Sequence, residues 1–355
     1  MSKANVAQIA GDGIGVEVMD SARAVLDVLL PLTGDTIVWT ELDWSCERYR
    51  KRGAMMPADG LDVLGRHDAV LLGAVGSPDV PDHISLWQLL IPIRRTFNQY
   101  VNLRPVRALE GVPSPLRPEL AADVDIVIVR ENTEGEYSEV GGRFGTGTPL
   151  ESAFQQSVFT RVGVQRVAHY ALEKAVARSG RVTVATKSNG IVHTMPFWDE
   201  TVREVASAYP VTATFEHVDA LAAKLVMRAS SFDVVLASNL FGDILSDLAA
   251  GLCGSIGIAP SANIDPTGQF PSMFEPVHGS APDIAGQGRA NPVGMLWSVV
   301  MMLEHLGMLR ASALLMAAVE QTLRDPGTRT ADVGGHADTR TVTAAVIEHL
   351  TKEQS

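Results

Sequence analysis

A repeated alternation constrains this 355-residue chain more than any other feature: short apolar runs are separated by stretches with helical spacing. Asn5 to Ala10, Asp68 to Gly73, Asp125 to Arg130, Val182 to Thr186 and Phe232 to Ala237 read as strands, and Thr36 to Leu42 and Thr212 to Val218 as further extended segments. Between them, Val18, Met19, Ala22, Val25, Leu26 and Leu29 follow a 3.6-residue period. Within 161–178, Val164, Val167, Ala168, Ala171, Leu172 and Ala175 do the same. Strands alternating with helices predict an α/β fold with a parallel sheet covered on both faces. In open α/β sheets ligands sit beyond the C-terminal ends of the strands. Three successive strands deliver Lys187-Ser188-Asn189, Asp219 and Asp243 to that position.

The first strand runs into Gly11-Asp12-Gly13-Ile14-Gly15 and then a helix, which resembles a dinucleotide-binding turn. The glycines are spaced G-x-G-x-G rather than G-x-G-x-x-G, so the Rossmann fingerprint is rejected. Asn239 to Asp247 carries the sharper signal. With a helix predicted from Phe241, Asp243 and Asp247 are four apart and share a face. Two adjacent carboxylates repel unless a hard cation lies between them, and oxygen ligands suit Mg²⁺ or Mn²⁺. One aspartate at the helix dipole and one in solvent is the plainer reading of the same spacing.

A helix over Leu86 to Asn98 carries Arg94, an extended segment carries Arg104, and the strand at 125–130 delivers Arg130. These arginines form either a bidentate clamp for a dicarboxylate or scattered surface charge. Gly141, Gly142, Gly145 and Gly147 make a poor helix and predict a hairpin arm that clasps a neighbour. Phe274 to Asp283 has no regular period and reads as a polar binding loop. The last helices are predicted over Asn291 to Gly307, Ala311 to Arg324 and Thr339 to Leu350.

Length leaves room for two lobes. A net charge of −12 argues against nucleic acid or an anionic membrane as partner. Two distant cysteines, Cys46 and Cys253, suit a reducing compartment, and no stretch approaches the roughly 18 apolar residues of a membrane span. A cytoplasmic protein is expected.

Five motifs in order then resemble the metal-dependent β-decarboxylating dehydrogenases, the family of isopropylmalate, isocitrate, tartrate and D-malate dehydrogenases. They are Gly11 to Glu17, Asn102 to Pro105, Arg130 to Tyr137, Asn239 to Asp247 and Glu275 to Gly286. The resemblance implies a two-lobed, non-Rossmann fold of the isopropylmalate dehydrogenase kind. Residues 1–100 plus 252–355 would form a cofactor-binding lobe. Residues 101–251 would form a central substrate, metal and dimerisation lobe, with a β arm at about 136–158. It also implies a homodimer whose sites are shared across the interface.

Carried over by residue, the resemblance makes Arg94, Arg104 and Arg130 the substrate arginines and Tyr137 and Lys187 the catalytic pair. Asp219, Asp243 and Asp247 would be the ligands of Mg²⁺ or Mn²⁺, with Lys187 and Asp219 supplied by the second subunit. Ile14, Asn189, Ile256, Glu275, His278, Gly279, Ser280, Ala281, Asp283 and Asn291 would hold the cofactor. A carboxylate at Asp283 would accept from a ribose 2′-hydroxyl and repel a 2′-phosphate, which favours NAD. The implied reaction is oxidative decarboxylation of a 2-hydroxy diacid. Ser85-Leu86-Trp87 before Arg94 looks like the D-malate and tartrate branch. Leu89, Leu90 and Ile91 keep 3-isopropylmalate open, with Leu90 the candidate lining residue.

Overall fold

The computed structural model describes residues 2–352. Its strands are β1 (Lys3–Gly11), β2 (Thr36–Leu42), β3 (Ala69–Ala74), β4 (Val101–Arg107), β5 (Asp125–Glu131), β6 (Gly141–Phe144), β7 (Ser152–Gln155), β8 (Arg181–Thr186), β9 (Thr212–His217), β10 (Val234–Ala237), β11 (Pro260–Ile264) and β12 (Ser272–Pro276). The described residues form one ten-stranded sheet in the order β2-β1-β3-β12-β11-β4-β5-β10-β8-β9. Strands β6 and β7 pair separately as an antiparallel ribbon. β3 is buried along its whole length and reads as a continuous apolar run, as a strand covered on both faces must. The edge strands β2 and β9 are only partly buried.

The sheet is mixed rather than parallel, which corrects the expectation from alternation. β4 runs antiparallel to both β5 and β11, and β11 runs antiparallel to β12. The alternating pattern holds through β1 to β3 and β8 to β10 but says nothing of the strands that join them. β12 corrects a second reading. Residues 274–276, expected in a loop, end a fully buried strand seated between β3 and β11. Its sequence, Ser-Met-Phe-Glu-Pro, is too short and polar to announce itself as a strand.

Helices cover both faces. Ile14–Thr33 buries the predicted stripe from Val18 to Leu29 and ends at Gly34 in the left-handed region. Together with Val293–His305, Leu309–Arg324 and Thr339–Lys352, it packs into the larger core cluster. Ile9, Leu72, Leu89, Ile93 and Phe97 lie in a second cluster. The helical segment before β4 starts at Asp82, earlier than expected, and contains a π-helical turn over Leu86–Leu90. The helix after β10 starts at Asn239, two residues before the predicted Phe241. Among the described residues, no helix is long and apolar enough to cross a membrane.

Candidate active site

Three arginines from three elements converge where β4 and β5 meet the Asn239–Leu252 helix. Arg94 comes from the Ile91–Thr96 helix, Arg104 from β4 and Arg130 from β5, and all three are buried. They line a cavity of about 210 Å³ together with Leu86, Ile91, Asn132, Tyr137, Asn239 and Asp243. Arg104 bonds Ser246 Oγ at 2.7 Å and Asp247 at 3.0 Å and lies 3.3 Å from Asp243. Arg130 donates to Asn239 Oδ1 at 2.8 Å and pairs with Asp243. Gly242 permits this approach, because a Cβ there would lie 2.6 Å from the Cβ and Cγ of Arg130.

Tyr137 closes the group by donating from Oη to Asp243 Oδ2 at 3.1 Å. Burial and the Asp243 charge push its phenol above the ordinary value. Burial, reinforced by Arg104, pulls the Arg130 guanidinium down to about 10 against the attraction of Asp243. Burial alone would raise the Asp243 carboxyl, but Arg130, Arg104 and the Tyr137 hydroxyl outweigh it and hold the group below the usual carboxylate range. Asp247 goes the other way, raised by burial and by the negative charge of Asp243. A polar network fixes Arg94 from behind. Arg94 bonds Glu275 Oε1 at 2.9 Å, Asn263 Nδ2 donates to the same oxygen at 2.7 Å, and Asn132 and Asn102 donate to Asn263 Oδ1.

Lys187 and Asp219 lie elsewhere and bond each other at 2.7 Å. That pair holds Asp219 below its ordinary range. Among the described residues, no three His, Cys, Asp or Glu side chains gather as a metal site, so Asp219 does not join Asp243 and Asp247 within one chain. The donors at 243 and 247 nevertheless fit a hard divalent ion. Both are carboxylates, part-exposed at 33% and 49% of their side-chain surface, and they stand one helical turn apart.

A second cavity of about 460 Å³ lies beside the glycine turn, lined by Ile14, Ser255, Gly257, His278, Ala281, Asn291 and Asp332 among others. Ile14 N donates to Ser280 O at 2.8 Å, and a Cβ at Gly13, which has φ +57°, would meet that oxygen at 2.1 Å. The turn and the 278–283 loop are thereby held together. Burial pushes the His278 imidazole below its ordinary value, and its Nε2 is buried without a partner. An orphaned ring nitrogen beside apolar walls fits the base of a nucleotide.

Several expected residues sit differently. Leu90 packs on the core and does not line the arginine cavity; Leu86 and Ile91 do. The π turn is the reason. Ile91 N bonds Leu86 O, so residues five apart share the face that α-helical spacing assigns to Leu86 and Leu90. Ile256 is 40% exposed and Asp283 is exposed, and neither lines the second cavity. Gly279 and Asn189 are exposed, Ser280 is half-buried, and Glu275 is engaged by Arg94. The carboxylates facing that cavity are Asp332 and Asp338, and Asp332 accepts from Ser255 Oγ at 2.6 Å and Asn291 Nδ2 at 3.1 Å. Both were missed. Their only signal in the sequence is a polar, aperiodic stretch between two helices, the same signal that singled out 274–283.

Comparison with known proteins bears on the same residues. A family model described as isocitrate/isopropylmalate dehydrogenase matches residues 5–350. A probable tartrate dehydrogenase/decarboxylase of Bacillus subtilis (strain 168) is 50% identical over 99% of both chains. A D-malate dehydrogenase [decarboxylating] of Escherichia coli (strain K12) is 49% identical over 98% of this chain and 99% of its own. In solved structures, isocitrate dehydrogenase from Methylococcus capsulatus superposes with a TM-score of 0.88 at 34% identity over 99% of both chains.

Proposed function

This chain belongs to the isocitrate/isopropylmalate dehydrogenase family, and we propose that within it the protein oxidises and decarboxylates D-malate or oxidises tartrate. The single observation that carries this reading is the meeting of three buried arginines, Asp243 and Tyr137 in one small cavity. The three guanidinium groups are matched by Asp243, Asp247 and Glu275, so a divalent cation at 243 and 247 would add the positive charge that holds a small dianionic ligand against the arginines' N–H donors.

Asp243 and Asp247 are the residues that would hold a divalent cation, Mg²⁺ or Mn²⁺, with Asp219 completing the set from a second copy of the chain. When bound, the cation would supply Lewis-acid polarisation of the substrate oxygen at C2, and the nicotinamide would accept the hydride from that carbon. Arg94, Arg104 and Arg130 orient the two carboxylates of the substrate. Lys187 of the second copy takes the proton of the C2 hydroxyl. Tyr137 protonates C3 once carbon dioxide has left. The nucleotide is assigned to the cavity at His278, with Asp332 in its lining and Asp283 outside the lining, next in sequence to the lining residue Ile284, as carboxylates that disfavour a 2′-phosphate; NAD is therefore preferred over NADP.

The two halves of the sheet support an assignment of residues 1–100 and 252–355 to the cofactor lobe and 101–251 to the central lobe. β1 to β3, β11 and β12 come from the first set, and β4, β5 and β8 to β10 from the second. Homodimerisation is supported by exposed Val226 and Met227 on the Val218–Arg228 helix and Ile244 on the Asn239–Leu252 helix. It is supported too by the stacked Phe144 and Phe154 of the exposed β6–β7 arm.

Leu86 and Ile91 in the lining favour a second reading, 3-isopropylmalate, whose branch needs an apolar wall. Steady-state NADH formation with Mn²⁺ against D-malate, L-tartrate, meso-tartrate and 3-isopropylmalate separates the two. Highest kcat/KM on D-malate or a tartrate supports the primary reading, and highest kcat/KM on 3-isopropylmalate replaces it.

A further inference from the structure

The Asn239–Leu252 helix, which carries Asp243 and Asp247, is not capped by its own N-cap residue. Ser238 is fully buried and its hydroxyl makes no capping bond; it donates instead to Glu136 Oε1 at 2.7 Å. The other oxygen of Glu136 accepts from Leu240 N, in the first turn of the helix, at 3.1 Å. A carboxylate from a segment about a hundred residues away in sequence thus does what a cap does, in the position that the helix dipole favours. The residue after Glu136 is Tyr137, whose hydroxyl reaches Asp243 on the same helix. The carbonyl of Tyr137 is held from its other side by Arg95 Nη2 at 2.9 Å.

We propose that Glu136 is a positioning residue. By gripping the start of the helix with both oxygens, it fixes the distance from the Tyr137 hydroxyl to the carboxylates of that helix, and so sets the line along which Tyr137 delivers its proton. The inference rests on the reading of Tyr137 as the proton donor. Glu136 touches no reacting atom and acts only through Tyr137. Loss of outer groups of this kind typically costs about 10- to 100-fold in activity or metal affinity, so the activity comparison is made at saturating Mn²⁺.

The test compares Glu136→Ala and Glu136→Gln with Tyr137→Phe in the whole enzyme. The chain has five tyrosines, so metal-free protein labelled with 3-fluorotyrosine gives few enough ¹⁹F resonances for the one lost in Y137F to be assigned to Tyr137. That resonance is expected to move in E136A and to return towards its original position in E136Q, whose amide keeps an acceptor for Leu240 N and a partner for Ser238. Decarboxylation of oxaloacetate with saturating Mn²⁺, followed as carbon dioxide release, is expected to lose about 10- to 100-fold in kcat in E136A with KM unchanged, and to recover in E136Q. A Tyr137 resonance that stays in place in E136A overturns the proposal, as does a variant in which KM rises while kcat holds. Failure of the wild-type enzyme to release carbon dioxide from oxaloacetate would contradict the functional reading instead, and the ¹⁹F comparison still decides the position of Tyr137.

Discussion

Tyr137 donates one hydrogen bond to Asp243 and is not a plausible hard-cation ligand while its phenol stays protonated. Tyr137→Phe should therefore cut decarboxylation by about 10²- to 10⁴-fold, the span of a lost general acid, and leave the Mn²⁺ dissociation constant nearly unchanged. Direct titration of Mn²⁺ checks this, and loss of metal binding in the variant would count against the assigned role. At this scale Arg104, Arg130, Tyr137, Asp243 and Asp247 were legible because they stand in long motifs whose order is itself information. Leu90 misled, since a π turn is invisible to a 3.6-residue count and moves the lining position to Ile91. Asp332 was hidden because a single carboxylate in an aperiodic stretch has no spacing to betray it.

Helix against strand is what brings the arginines to the aspartates, and Gly242 is the point of closest approach. A methyl group there would overlap the Cβ and Cγ of buried Arg130, which are not the free end of a flexible chain. Gly242→Ala is expected to destabilise the protein by about 1–3 kcal/mol through overpacking and to raise KM by displacing Arg130. Denaturant midpoints and substrate KM measure the two effects, and a variant unchanged in both would mean that the helix is free to slide. Strands covered on both faces and helices with an apolar stripe were readable from periodicity. β12 was not, because its place depends on pairing with β3, which is distant in sequence, as well as with nearby β11. The antiparallel course of β4 escaped for the same reason: direction in a sheet is a property of pairing, not of the strand's own residues.

Across the whole molecule, Lys187 and Asp219 bond each other away from the arginine cavity, which is the arrangement expected if each site is completed by a second copy. Mixing inactive Lys187→Met and Asp243→Asn proteins under conditions of subunit exchange should then regain about a quarter of wild-type activity. Half of randomly paired dimers are hybrids, and each hybrid holds one intact site of two. No recovery after verified exchange would place both residues in the site of their own chain. The most direct measurement is the ratio of carbon dioxide to NADH formed from D-malate, with Mn²⁺ and after its removal by EDTA. Equal yields that vanish without metal are expected. NADH without carbon dioxide, or turnover that survives EDTA, would contradict metal-dependent oxidative decarboxylation at the Arg–Asp–Tyr cluster.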